Sequence, residues 1–282
     1  NLISLGQKVR SMKIKEGKRP SSSIYHLGKF LSDSIDLNVE GVAFFVSKER
    51  KNIIFERWDM RASEALKDLW QEFKSSVFMS GTLEPVDAFS EVIGLKNYKS
   101  YKASFNYKPE NVESLILKGV STKGEKISRE MVGKYKDIVL KFIKNFSDRN
   151  IAIFSSSYRI QNEILSLLPE KIESRIFVER EGMGGEESRK ILDSFKKCAN
   201  EDKKGVLFAT ASGRFAEGAD FPGKELEAIM LIGIPFEKLT LKTKTYIEYY
   251  EKIYGENKGK YYAYIVPAMR RASQSLGRLI RT

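Results

Sequence analysis

The segment RRASQSLGRLIR, residues 270–281 of a 282-residue chain, concentrates groups that bind phosphates. Arg278 and Arg281 stand three apart, so on a helix both guanidiniums point to one side. Two planar forks of N–H donors on one side suit a polyphosphate or a row of carboxylates. Gln274 lies one helical turn earlier, and Gly277 falls between. Their target is not supplied by the rest of the chain. A G-x-x-x-x-G-K-[ST] phosphate loop occurs nowhere in it.

Three other segments carry polar groups directly after apolar runs. GVLFAT is followed by ASGRFAEGADFPG. There Thr210 and Ser212 offer hydroxyls, Arg214 a cation, and Glu217 and Asp220 carboxylates, among Gly213, Gly218 and Gly223. Glycines let backbone amides approach a ligand closely, and packing alone explains such a loop poorly. Asp220 could accept from a ribose hydroxyl or orient an arginine. IAIF is followed by Ser155, Ser156, Ser157 and Tyr158. Hydroxyls and amides at a strand-to-helix turn suit a phosphate, and Tyr158 could stack on a base. A plain helix-capping cluster explains the same residues. SVFM is followed by Ser80, Gly81 and Thr82, which either couple two loops or form a capped tight turn.

The elements around these segments define the scaffold. Strands are expected at SVFMS, SLILK, IAIFSS, SRIFV, GVLFAT, AIMLIGIP and YYAYIV. Helices are expected over 86–93, 127–146, 157–168, 186–199, 242–254 and 268–280. In the second of these, Ile127, Met131, Tyr135, Ile138, Phe142 and Phe146 follow the helical period. Continuous apolar strands alternating with helices predict an α/β fold, a parallel sheet covered on both faces. Ligands then bind beyond the carboxyl ends of the strands. Upstream, VEGVAFFVSKERKNIIFERW reads as a hairpin and ASEALKDLWQEFK as an amphipathic helix with Ser63 as its N-cap.

Composition removes several chemistries. One cysteine (Cys198) and one histidine (His26) cannot assemble a zinc site, an iron–sulfur cluster or a disulfide, and His26, in IYHLGKF, reads as a structural or exposed residue rather than the base of a triad. No metal site is expected in this chain. No run approaches the ~18 apolar residues of a membrane span, and lysines and arginines interrupt any signal-like start. The net charge of +12 favours a polyanionic partner such as nucleic acid, although a charged, heat-adapted surface gives the same sum.

Taken in order, FMSGTLEP, IAIFSSSY, FATASGRFAEGADFPG and QSLGRLIR resemble the later motifs of XPD-type superfamily 2 DNA helicases and their DinG-type relatives. The resemblance spans roughly residues 37–282. It implies the RecA-like second motor lobe of an ATP-dependent 5′-to-3′ helicase acting in DNA repair. Residues 62–282 would be that lobe, 37–61 a hairpin connector, and 1–36 the helical end of an arch-like insertion. Gln274, Arg278 and Arg281 match the motif facing the ATP phosphates, with Arg278 supporting transition-state charge. Glu217, Gly218 and Asp220 match the motif between nucleotide and DNA. Ser156, Ser157, Tyr158, Thr210, Ser212 and Arg214 would lie along the DNA, and Ser80, Gly81 and Thr82 would couple the lobes.

The resemblance also implies ATP and Mg2+ held mainly by a first lobe, an iron–sulfur cluster possible only outside this chain, and single-stranded DNA as partner. The chain reads as a piece of a longer protein, expected to be monomeric, in the cytoplasm or nucleoid of a prokaryote or the nucleus of a eukaryote. A non-catalytic nucleic-acid-binding module of the same fold is the alternative.

Overall fold

The computed structural model describes residues 1–35, 38–103, 109–124 and 126–279. Helices cover Leu2–Lys15 (α1), Ser23–Asp33 (α2), Ala62–Leu66 (α3), Val86–Val92 (α4), Arg129–Asn145 (α5) and Tyr158–Leu165 (α6). They continue with Gly185–Lys197 (α7), Arg214–Gly218 (α8), Leu241–Tyr254 (α9), Glu256–Lys260 (α10) and Val266–Leu276 (α11). Strands cover Val42–Glu49 (β1), Asn52–Asp59 (β2), Ile151–Ser155 (β3), Arg175–Val178 (β4), Gly205–Thr210 (β5) and Ala228–Ile232 (β6).

The chain forms two compact units. The first gathers residues 1–76, 90–96 and 239–259. The expected hairpin is β1–β2, antiparallel, with Val42 opposite Asp59. Helix α9 packs on it through aromatic contacts: the Trp58 and Tyr246 ring centroids lie 5.9 Å apart. A Cβ on Gly41 would sit 2.6 Å from the Tyr249 ring, so only glycine allows that approach. Trp70 Nε1 donates to the carbonyl of Ile93. These contacts explain why residues 62–76, 90–96 and 239–259 group with the hairpin, a division that differs from the expected boundaries at 36 and 61. α1 and α2 cross at Gly6 and Gly28, where an added Cβ would come within 2.4 Å and 2.8 Å of backbone atoms. The helix expected over 62–74 breaks after Leu66 and resumes as a 3-10 turn, Leu69–Glu72.

The second unit comprises Val77–Phe89, Asn97–Lys238 and the chain from Lys260 on. Its sheet has the order β4-β5-β3-β6, parallel throughout. Alternate residues face opposite layers, as the pleat requires. Ile151, Ile153, Val206 and Phe208 meet Tyr135, Val139 and Ile143 of α5 and Ile160 and Ile164 of α6. Ala152, Phe154, Leu207 and Ala209 meet Phe195 of α7, Phe215 and Ala216 of α8, and Phe221. Both faces are therefore covered, which is why the strands read as unbroken apolar runs. Cys198 is buried, a packing residue.

Three expected strands do not form among the described residues. SVFMS and SLILK find no ladder partner; Val77 and Met79 are 81% and 88% exposed, Leu115 and Ile116 79% and 89%. An apolar run becomes a strand only where a free edge accepts its hydrogen bonds. YYAYIV is instead a π-helical turn, Tyr261–Ile265, leading into α11. Tyr262, Ala263 and Val266 are its buried members, a helical rather than an alternating spacing. No described helix is long and apolar enough to cross a membrane.

Asn150 ties helix α7 to the sheet beside β3. It is fully buried, donates from Nδ2 to the carbonyl of Phe195 at 3.0 Å, and accepts at Oδ1 from the N–H of Gly205 at 2.9 Å. Asn150→Ala orphans both backbone groups. We expect a loss of about 2–4 kcal/mol, each buried unpaired group costing about 1–3 kcal/mol. Urea denaturation followed by circular dichroism measures it; a loss under about 1 kcal/mol would mean the site relaxes or hydrates.

Candidate functional site

The carboxyl edge of the sheet gathers the loops singled out in the sequence. Ser156 N–H donates to the Ile232 carbonyl at 2.9 Å, and Ala211 N–H to the Ser155 carbonyl at 2.8 Å, so the chains leave the sheet side by side. Ser157 caps α6, its hydroxyl accepting from Ile160 N–H at 3.4 Å. Tyr158 opens α6, half-buried. Burial first, then the negative charge of Glu179, raises its phenol above the usual range, so it stays neutral. Arg159 is engaged by Glu163 at 2.7 Å. A trough of about 2330 Å³ runs past Ser156, Ser157, Tyr158 and Ser212. Its size exceeds the roughly 300–1,000 Å³ of a small-molecule pocket.

The loop after β5 divides into support and contact. Thr210 is buried, unlike the DNA-facing group the resemblance implies, because its N–H is turned inward onto Glu179 Oε2 at 3.0 Å. Ser212, Arg214, Glu217, Gly218 and Asp220 are exposed. Glu179, directly after β4, is 1% exposed. Its Oε1 accepts from Arg214 N–H at 2.7 Å, and Phe215 N–H also donates to this carboxylate. Burial raises its carboxyl above the ordinary range; the three backbone donors and the Arg214 charge oppose that rise. A Cβ at residue 213 would lie 2.1 Å from Oε2, so Gly213 is required by the carboxylate itself. Sequence reading missed Glu179, one of two acids in the charged run ERE. The available signal was its place at the end of an apolar strand.

The final helix and the 3-10 turn after it, Gly277–Leu279, bind two of these segments. Gln274 Nε2 donates to Thr82 Oγ1 at 3.2 Å. Arg270, one turn earlier, donates to the carbonyls of Leu83 at 2.8 Å and Glu84 at 3.3 Å. Ser80 Oγ accepts from Thr82 N–H at 3.1 Å, closing a tight turn around Gly81. Arg271 pairs with Glu237. Arg278 is 7% exposed. Its Nε donates to the Ala216 carbonyl at 2.6 Å, Nη1 to Ala219 at 2.8 Å, and Nη2 to Glu217. Arg278 thus grips the carboxyl end of α8, where the resemblance would have it face phosphate. Arg281 lies outside the described residues. Among the described residues, no group of three or more His, Cys, Asp or Glu could hold a metal.

A doubly covered parallel sheet with its polar loops on the carboxyl edge is an architecture that RecA-like motor lobes share. The chain belongs to the family described as the helicase C-terminal domain, which matches residues 139–282. It is 25% identical over 234 residues to the general transcription and DNA repair factor IIH helicase subunit XPD/RAD3 of Saccharomyces cerevisiae, covering 78% of this chain and 30% of that protein. It is 30% identical over 188 residues to a probable ATP-dependent helicase of Methanocaldococcus jannaschii, covering 62% of this chain and 27% of that one. It is 28% identical over 229 residues to the ATP-dependent DNA helicase DinG of Photobacterium profundum, covering 76% and 30%. A solved structure named "XPD_Helicase" superposes with a TM-score of 0.59 at 20% identity, over 98% of this chain and 49% of that one. The chain therefore spans about a third of the length of the curated relatives it matches.

Proposed function

We propose that the chain works as the second motor lobe of an ATP-dependent 5′-to-3′ DNA helicase of the XPD type, with a role in DNA repair. The observation that carries this reading is the convergence on the final helix. Through Gln274 it holds the 80–82 turn, and through Arg278, in the 3-10 turn that follows it, the loop after β5. A lobe that must respond to a nucleotide and a strand together needs such a junction. Ser156, Ser157, Tyr158, Ser212 and Arg214 line the face on which single-stranded DNA would run.

The described residues do not form a nucleotide cradle. Arg270, Arg271 and Arg278 are all bound to carbonyl or carboxylate oxygens of this unit. Gln274, Glu217 and Asp220 are exposed polar groups, assigned with Arg281 to the nucleotide side from the resemblance. ATP and Mg2+ would be held by a first lobe, which is the expected partner in a monomeric protein. Any iron–sulfur cluster would also lie outside this chain. The protein would work in the nucleus of a eukaryote, or in the cytoplasm or nucleoid of a prokaryote.

The test is steady-state ATP hydrolysis by the full-length protein, with and without a single-stranded oligonucleotide. Turnover that rises with the oligonucleotide is expected. DNA binding without turnover would favour the non-catalytic module.

A further inference from the structure

We propose that Glu179 is a positioning residue for the DNA-facing loop, acting with Arg278 as the two ends of one clamp on α8. The proposal rests on the motor-lobe reading above. α8 has five residues, too few to be stable by itself. Its amino end has no side-chain cap of its own, since Gly213 occupies the capping position. Glu179 supplies the cap from another strand, accepting from Thr210, Arg214 and Phe215 N–H groups. At the other end Arg278 donates to the carbonyls of Ala216, Glu217 and Ala219. An anion at the amino end and a cation at the carboxyl end each complement the free backbone groups and the helix dipole there.

The clamp also decides which way the loop's side chains point. The Glu179 carboxylate occupies the place of a Cβ on Gly213. The residues on either side, Ser212 and Arg214, are exposed. With the backbone between them drawn inward at residue 213, their side chains are presented outward. A neutral apolar residue would fill the space after β4 equally well. It would leave three inward-facing N–H groups unpaired, and the loop would turn them to solvent. The buried carboxylate is thus explained by what it does to its neighbours across the loop rather than by packing.

The experiment compares full-length wild type and Glu179→Gln by thermal melting, by fluorescence anisotropy with a labelled single-stranded oligonucleotide, and by ATP turnover. The amide keeps the shape, yet its NH2 faces a backbone N–H it cannot accept from. Expected are a melting temperature within about 5 °C of wild type, oligonucleotide affinity down about tenfold, and loss of most DNA stimulation, with KM for ATP changed less than about twofold. Unchanged affinity and stimulation would overturn the proposal. So would a fall of all activities by one common factor, which marks a merely structural role. If Glu179→Gln does not fold, Glu179→Asp retains the charge one methylene further back. It is then expected to melt near wild type with the same loss of affinity, and unchanged affinity again overturns the proposal. Wild type that binds the oligonucleotide without ATP turnover would defeat the motor reading alone, because the anisotropy comparison still tests the clamp.

Discussion

Arg278→Ala in the full-length protein is expected to lower ATP turnover by about two to three orders of magnitude and the stability of this lobe by about 3–5 kcal/mol. The stability part follows from burial. Arg278 satisfies three carbonyls at the end of α8, and alanine leaves all three without a donor in a site closed to water. The turnover part follows from placement. α8 and its flanks carry Arg214, Glu217 and Asp220, and displacing such a loop by about 1 Å can cost a hundredfold in rate. Lysine will not rescue, since one ammonium cannot serve three carbonyls in different directions. Melting temperature and steady-state turnover, measured on the same preparation, separate the two effects. A variant with slow turnover and wild-type melting would mean that Arg278 leaves its carbonyls and meets the nucleotide. A variant normal in both would show that the α8 contacts are dispensable.

The chain by itself is expected to hydrolyse no ATP, even with Mg2+ and single-stranded DNA. Phosphoryl transfer needs a cradle for the β- and γ-phosphates, a held metal ion and a positioned water. The sequence has no phosphate loop, and three of the four arginines in residues 270–281 are engaged within the unit. Turnover by the purified chain that survives further chromatography and responds to DNA would sink this expectation. Mixing with a separately produced first lobe is the informative control, since restored turnover would locate the missing groups.

The parallel strands were legible because burial on both faces leaves no alternation to misread: IAIFS, RIFV, GVLFAT and AIMLI all form the sheet. SVFMS and SLILK have the same apolar character, but a strand also requires an open edge in reach, and single-sequence patterns do not encode edges. YYAYIV misled through its aromatic, strand-like composition, whereas the buried positions Tyr262, Ala263 and Val266 follow a helical face. The loops of the candidate site were legible from glycine and hydroxyl content. Their division into support and contact was not. Thr210 and Arg278 have the chemistry of ligand-binding groups, and only the fold shows Thr210 buried over Glu179 and Arg278 turned onto backbone carbonyls. Glu179 was invisible for the opposite reason, since an acid within a charged run reads as surface.

The carboxylate that fills the Cβ space of residue 213 ties together the histories of two distant positions. A lineage that replaces Gly213 must first lose the carboxylate at 179, and one that loses the carboxylate no longer needs the glycine. Neither change is neutral while the other residue stands. The pair therefore changes along a narrow path, through an intermediate with a small uncharged residue at 179. Across diverging sequences the two positions are expected to change together.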